Sequence, residues 1–242
     1  MKIYNILLMS LVTVVLICGL SWNFWIKDGE KRETDTVTDI DGNAYLIIKI
    51  GEQWWMAENL KVTRYRNGDP IPNVTDENAW HNLKTGGYCS YDNDASKAEI
   101  YGYLYNWYAV KDPRGLAPEG WHVPSDNEWQ TLVDYLGGNG VAGGKMKETG
   151  TAHWTSPNAG ATNESGFSAL PGGYRSYCGV LGSFGRGCGD DYCDANFWSS
   201  TESSTEDGRY GAWHRVLYCN ALEVHREDVY KQYGNSVRCV RD

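Results

Sequence analysis

The sequence predicts an α+β domain with two helices, short antiparallel sheets and long irregular loops, preceded by an N-terminal membrane segment. Three observations lead there. An uncharged run opens the chain, from Ile3 to Ile26. Short segments of strand period and of helix period follow one another with no internal repeat. Finally, 28 Gly against 7 Pro in 242 residues supply many tight turns and little extended helix.

The opening run decides the compartment. About 20 apolar residues span a bilayer as a helix. Lys2 and the terminal amine flank Ile3–Ile26 on one side, and Lys27, Asp28, Glu30, Lys31, Arg32 and Glu33 on the other. That asymmetry places the N-terminus inside and the rest of the chain outside, periplasmic or at the cell surface. An uncleaved signal anchor fits the length best. A lipoprotein would use Cys18, within Val15-Leu-Ile-Cys-Gly19, although Ile17 is bulkier than the residue such sites carry. A cleaved signal peptide lacks well-placed small residues. Residues 1–26 are thus read as the membrane or signal segment, 27–36 as a polar linker and 37–242 as one domain.

Within the domain, Asp39-Ile-Asp-Gly-Asn43 reads as a turn. Ala44–Ile50, Gly51-Glu52 and Gln53–Met56 then read as a first hairpin. Tyr101–Val110, aromatic on all sides, reads as a buried helix, with a strand equally compatible with the pattern. A second helix is marked by the capping box Ser125-x-x-Glu128 behind Pro124. Trp129, Leu132, Val133 and Leu136 form its apolar face, and Gly137-Gly138 ends it. From Gly137 to Gly211 the sequence is rich in Gly, Ser, Asn and Thr, and an irregular stretch of that length carries a function or a disulfide framework. Strands return at Asn196–Ser199, Ala212–Cys219, Leu222–His225 and Ser236–Val240, with Asn220-Ala221 at a hairpin turn.

Composition narrows the chemistry. A formal net charge of −9 argues against a nucleic-acid partner, which needs clustered Lys and Arg. Eleven Trp and 17 Tyr against four Phe suit both irregular cores and sugar-facing surfaces, because each ring carries a polar handle. Six cysteines follow Cys18, an even number consistent with disulfides in an exported domain. Cys219 and Cys239, both on terminal strands, are the expected pair, and two of Cys178, Cys188 and Cys193 are candidates to close the Gly-rich loop. Zinc is disfavoured, since there is no Cys-x-x-Cys and no close pair among His81, His122, His153, His214 and His225. Gly182-x-x-Gly185-x-Gly187-x-Gly189 has neither the strand–helix setting nor the Lys-Ser/Thr ending of a phosphate loop. No Gly-x-Ser-x-Gly elbow or His-Glu-x-x-His occurs. Asp190, Asp191 and Asp194 form a weak calcium candidate without EF-hand spacing; no other cofactor is expected. Among 31 acidic residues some carboxylate pair always looks suitable for glycoside hydrolysis, so that signal decides nothing.

Seven strings come in order: Asp39-Ile-Asp-Gly-Asn-Ala-Tyr45, Gln53-Trp-Trp-Met-Ala-Glu-Asn-Leu60, Gly102-Tyr-Leu-Tyr-Asn-Trp107, Gly120-Trp-His-Val-Pro-Ser-Asp-Asn-Glu-Trp129, Gly166-Phe-Ser-Ala-Leu-Pro-Gly-Gly-Tyr-Arg175, Phe197-Trp-Ser-Ser-Thr201 and Ser236-Val-Arg-Cys-Val-Arg-Asp242. Together they closely resemble the Fibrobacter succinogenes major paralogous (FISUMP) domain family of bacterial envelope and secreted proteins. Two of them, Trp121–Trp129 and Ser236–Arg241, are similar to elements of the formylglycine-generating sulfatase-modifying family. That likeness implies a C-type-lectin-like fold, with the capped helix as its second helix and the terminal strands closing its sheet. The Asn-Val-Trp-Glu-Trp and Arg-Gly-Gly-Ser-Trp elements of that enzyme family are missing, and Cys178, Cys188 and Cys193 do not match its copper cysteines. The expectation is therefore a non-catalytic binding or adhesion domain for polysaccharide or a surface protein. Trp198, Glu202, Trp213 and Arg215 are its candidate contacts, with Trp198 also readable as core. A structural surface component without a small ligand is the alternative, and a copper-dependent oxidase the remote one.

Overall fold

Alternation of buried and exposed side chains starts the first sheet. Tyr45 and Ile47 are buried on one face while Ala44 and Leu46 on the other face out, the period of two of a strand; further along that second face Ile48 and Ile50 are buried with Trp55 and Trp129. The structure, a computed structural model, describes residues 32–182, 193–204 and 210–242. In chain order its strands are β1 (Thr34–Thr38), β2 (Ala44–Ile50), β3 (Gln53–Met56), β4 (Tyr88–Cys89), β5 (Leu104–Asn106), β6 (Trp121–His122), β7 (Tyr174–Arg175), β8 (Leu181–Gly182), β9 (Asp194–Ser204), β10 (Tyr210–Tyr218), β11 (His225–Tyr230), β12 (Gly234–Asn235) and β13 (Val240–Arg241). The helices are α1 (Glu77–His81), α2 (Ala95–Tyr101), α3 (Trp107–Val110), α4 (Asp126–Tyr135) and α5 (Asn139–Met146).

They form three sheets, ordered β1-β2-β3-β13-β6, β11-β10-β9 and β4-β5-β12-β7-β8. All the paired strands run antiparallel. The chain is thus an α+β, sheet-rich domain with few and short helices. The expected hairpin is β2–β3, with Ile50 opposite Gln53. The C-terminus inserts between strands laid down much earlier, Val240 facing both Trp55 and His122.

α4 forms as its sequence predicts. Ser125 Oγ accepts from Glu128 N and the Glu128 carboxylate accepts from Ser125 N at 2.8 Å, a complete capping box. Its Trp129 packs on Trp55, Phe167 and Phe197, with ring centroids 4.8–5.8 Å apart. These aromatics are the centre of one buried cluster, and a second lies around Tyr45, Tyr105, Trp107 and Trp198.

Several expectations need correction. Tyr101–Val110 is not one helix but the end of α2, the strand β5 and the short α3. Gly102 breaks it, at φ +72° and with Leu60 O and Asn59 Cβ only 2.7 Å from where a Cβ would sit. Asn106 restarts it, its side chain accepting from Ala109 N at 3.0 Å. The stretch from Gly137 to Gly211 contains α5 and the long β9 rather than loop alone. Leu222–His225 is not a strand: Leu222 O accepts from Gly144 N, and β11 begins at His225. Ser236–Val240 crosses from the third sheet to the first instead of running in one. β1 begins at Thr34, so residues read as linker are sheet, and Arg32 already donates to Asn163 O at 3.1 Å.

Among the described residues no helix is long and apolar enough to cross a membrane. Ile3–Ile26 and Cys18 lie outside them. The Cys219–Cys239 pair is not formed. Cys239 is a buried thiol in the Tyr45 cluster, whereas Cys219 belongs to the Trp129 cluster and faces Cys193. Cys178 is an exposed thiol, and Cys188 lies outside the described residues. No cystine therefore links Cys178 to Cys193.

Candidate functional site

The sheet β11-β10-β9 supplies the site, because its two faces differ. On one, Arg215 points at α4: its Nη1 donates to Asp126 Oδ1 at 2.7 Å, and Arg226 bonds the same carboxylate at 3.0 Å while lying 3.4 Å over the Trp213 ring. Burial alone would raise the Asp126 carboxyl, but the two guanidiniums outweigh it and hold it below the usual range. Arg215 is buried and braces the sheet against the helix. Glu202 is exposed and pairs with Lys231 at 2.9 Å; Lys231 in turn covers Trp107.

The opposite face is concave. Cross-strand partners place Asp194 beside Tyr218, Asn196 beside Val216, Trp198 beside His214 and His214 beside Glu227. Trp198 is floor and core: it is fully buried and its indole N–H donates to Tyr105 O at 2.7 Å. Above the others, Tyr174 from β7 and Tyr233 stack with centroids 5.8 Å apart and planes 28° from parallel. Tyr177 joins them, 6.1 Å from Tyr233. Together Tyr174, Asp194, Asn196, His214, Tyr218, Glu227 and Tyr233 line a cavity of about 320 Å³. That falls within the range of small-molecule sites, roughly 300–1,000 Å³. On the far side of Tyr218 lies a separate open groove lined by Asn220, Ala221, Glu223 and His225.

His214 gives the cavity its polarity. Burial, reinforced by the Arg215 charge, pushes its pKa down to about 3, so the ring is neutral near pH 7. Asn235 Nδ2 approaches Nδ1 at 3.4 Å. With the Asn235 amide in this orientation its nitrogen donates, Nδ1 accepts and Nε2 carries the proton. Among the described residues that Nε2 has no hydrogen-bond partner, and Glu227 Oε2 lies 4.0 Å away. A neutral donor and a carboxylate acceptor thus stand side by side in the cavity wall. Asn196 Nδ2 donates to Asp194 Oδ1 at 3.0 Å, which orients a second carboxylate. Tyr218 and Tyr233 are kept as neutral phenols, each pushed up chiefly by burial.

A wider cavity near the chain's entry, lined by Arg32, Lys49, Tyr135, Lys145 and Glu164, is less suited. Its two lysines are paired, Lys145 with Glu164 at 2.7 Å and Lys49 with Glu33 at 3.7 Å. Among the described residues no group of three or more His, Cys, Asp or Glu side chains stands ready for a metal ion. Asp194 faces the tyrosine-lined cavity, and Asp190 and Asp191 lie outside the described residues.

A model of the Fibrobacter succinogenes major domain matches residues 48–241. The chain belongs to that family. No curated protein and no solved structure matches the chain. In this Fibrobacter succinogenes major domain the signature strings build frame. Phe197–Thr201 forms a bulge, since Ala212 faces Glu202 while His214 already faces Trp198. The bulge is fixed by Ser200 N to Pro124 O, Thr201 Oγ1 accepting from Asp126 N, and Trp107 Nε1 donating to Ser199 O. Trp213 and Arg215, the contacts expected from the sequence, lie on the braced face, and His214 alternates to the other one. The available signal was the period of two: His214, Val216 and Tyr218 share a face with Asp194 and Asn196.

Proposed function

We propose that this is an exported, non-catalytic binding domain on a C-type-lectin-like frame, and that the Tyr174/Tyr233 cavity takes a neutral or amine-bearing carbohydrate. The observation that carries this reading is the buried His214 Nε2, without a partner among the described residues, beside the Glu227 carboxylate under a stacked tyrosine pair. Sugar hydroxyls both donate and accept, so adjacent donor and acceptor groups suit them, and aromatic faces suit the apolar C–H face of a pyranose. Two carboxylates, Asp194 and Glu227, line the cavity, which disfavours anionic ligands such as uronic acids or phosphates. The open groove beyond Tyr218 gives a chain of sugars room to leave the cavity. Attachment to a membrane through Ile3–Ile26 fits a module displayed outside the cytoplasm.

The test is a glycan and polysaccharide array with the full chain in detergent, with and without calcium, followed by calorimetry on any hit. Tyr233→Ala and Glu227→Gln are each expected to weaken binding at least tenfold, with Glu202→Gln neutral. Silence of the folded wild type across the array, or binding that survives both cavity variants, would sink the carbohydrate reading.

A further inference from the structure

Of the five described cysteines, only Cys193 and Cys219 share a core cluster; Cys89 and Cys239 sit in two others and Cys178 is exposed. The register of β9 and β10 continues one step past Asp194↔Tyr218, which sets Cys193 directly opposite Cys219. Cys219 N donates to Cys193 O at 3.0 Å, the bond of a hydrogen-bonded antiparallel pair. In such a pair the Cα atoms are about 5.5 Å apart and both side chains leave the same face of the sheet. That separation lies well inside the ~4.4–6.8 Å span that a disulfide bridges.

We propose that Cys193 and Cys219 are an oxidation site, joined by a cross-strand disulfide that staples the base of the β9–β10 hairpin. The oxidant is another disulfide, small or protein-borne. One cysteine thiolate attacks it and releases one thiol. The second thiolate then attacks the mixed disulfide, forming the Cys193–Cys219 bond and releasing the second thiol. Two electrons pass to the oxidant, and the two cysteine protons end on its two sulfurs. Both cysteines are at most 1% exposed in the folded protein, so the exchange takes place before the hairpin base is covered. The bond, once made, is shielded from reductants. The staple adjoins Asp194 and Tyr218, the pair at the edge of the tyrosine-lined cavity, and pins that edge in place. It does not depend on what the cavity binds.

The experiment is refolding of the purified full chain in a mixture of reduced and oxidised glutathione, followed by alkylation, unfolding and peptide mapping without reduction. One linked peptide joining Cys193 to Cys219 is expected, with Cys89 and Cys239 alkylated only after unfolding. Refolding in excess reductant is expected to lower Tm by on the order of 5–10 °C. The Cys193→Ser/Cys219→Ser double variant should melt at the same temperature with and without reductant. Recovery of Cys193 and Cys219 as separately alkylated peptides, or linked to other cysteines, from protein that has refolded in the oxidising mixture overturns the proposal. Mapping of the wild type decides even where the double variant does not fold.

Discussion

Arg238 is fully buried and has no salt-bridge partner among the described residues. Its guanidinium donates to Asn59 Oδ1 at 2.8 Å, to Ser168 O at 2.9 Å and to Phe167 O, and it lies 4.3 Å over the Phe167 ring. Burial pushes its pKa down to about 9. One residue thus ties the C-terminal crossing to the β3 exit and to the Gly166–Arg175 string. Removing it leaves buried carbonyls without donors and a cavity beside two rings. Arg238→Ala is expected to cost about 3 kcal/mol or more, read from urea unfolding; a loss below about 1 kcal/mol would refute that role. His122 acts where the chain ends, its Nδ1 2.6 Å from Asp242 and its Nε2 2.7 Å from Glu128. Burial alone would lower its pKa, but the two carboxylates outweigh this and raise it. A folded-state pKa above the ordinary 6.5 contributes stability that is complete below 6.5 and is lost as pH rises through the raised value. The site is partly exposed, so the effect is at most about 1 kcal/mol. His122→Gln should flatten the stability profile between pH 6 and 8, and an unchanged profile would dismiss the clamp. Single residues of this kind are hard to find in a sequence. Arg215 and His214 are neighbours in the chain, yet one braces α4 and the other faces the cavity, and only the register decides which.

At the scale of elements, the sequence is most informative where local chemistry is self-contained. The β2–β3 hairpin and α4 follow from a β-branched apolar run, a turn and a capping box, all readable within about ten residues. Ser125→Ala is expected to cost about 1 kcal/mol, and a neutral result would show the cap to be redundant with α4's packing. Elements fixed by contacts distant in sequence were not legible. α5 is an example: Asn139-Gly-Val-Ala-Gly-Gly-Lys-Met146 has three glycines, which normally weaken a helix. Here two of the three are required by proximity. A Cβ on Gly143 would stand 2.4 Å from Glu223 O, and one on Gly144 2.5 Å from Gly160 O. Gly143→Ala, stabilising in an exposed helix, is therefore expected to destabilise this one by about 1–3 kcal/mol. A rise in Tm for that variant would mean that the Leu222–Glu223 segment yields without cost. The same segment explains why Leu222–His225 misreads as a strand, since its carbonyls serve α5 rather than a neighbouring β-strand.

For the whole molecule, the three sheets enclose ionisable groups that ordinarily lie at the surface, and their combined titration sets the alkaline limit of the fold. Cys89, ordinarily near 9.0, is pushed up to about 11 by burial; Cys239, Tyr45 and Tyr105 are raised as well, each chiefly by burial. A thiol or phenol with a raised folded-state pKa contributes stability that is complete below its unfolded value and lost as pH climbs through the folded one. For Cys89 that window is pH 9 to 11. Lys147 runs the other way. Burial lowers it from 10.5 to about 8, so its desolvation penalty is complete below pH 8 and is relieved between 8 and 10.5. Stability is therefore expected to hold or rise slightly to about pH 9 and to fall above it, where several buried acids outweigh one lysine. Urea unfolding at pH 7, 9 and 10.5 measures this directly. Lys147→Met strips the donors from three carbonyls and is less stable at every pH, but the informative quantity is its slope. Without the lysine, the fall from pH 7 to 10.5 should be steeper than in the wild type by up to about 3 kcal/mol. Parallel profiles for the two proteins would mean that the three carbonyls keep Lys147 charged across the whole range, and that the alkaline limb belongs to the thiols and tyrosines alone.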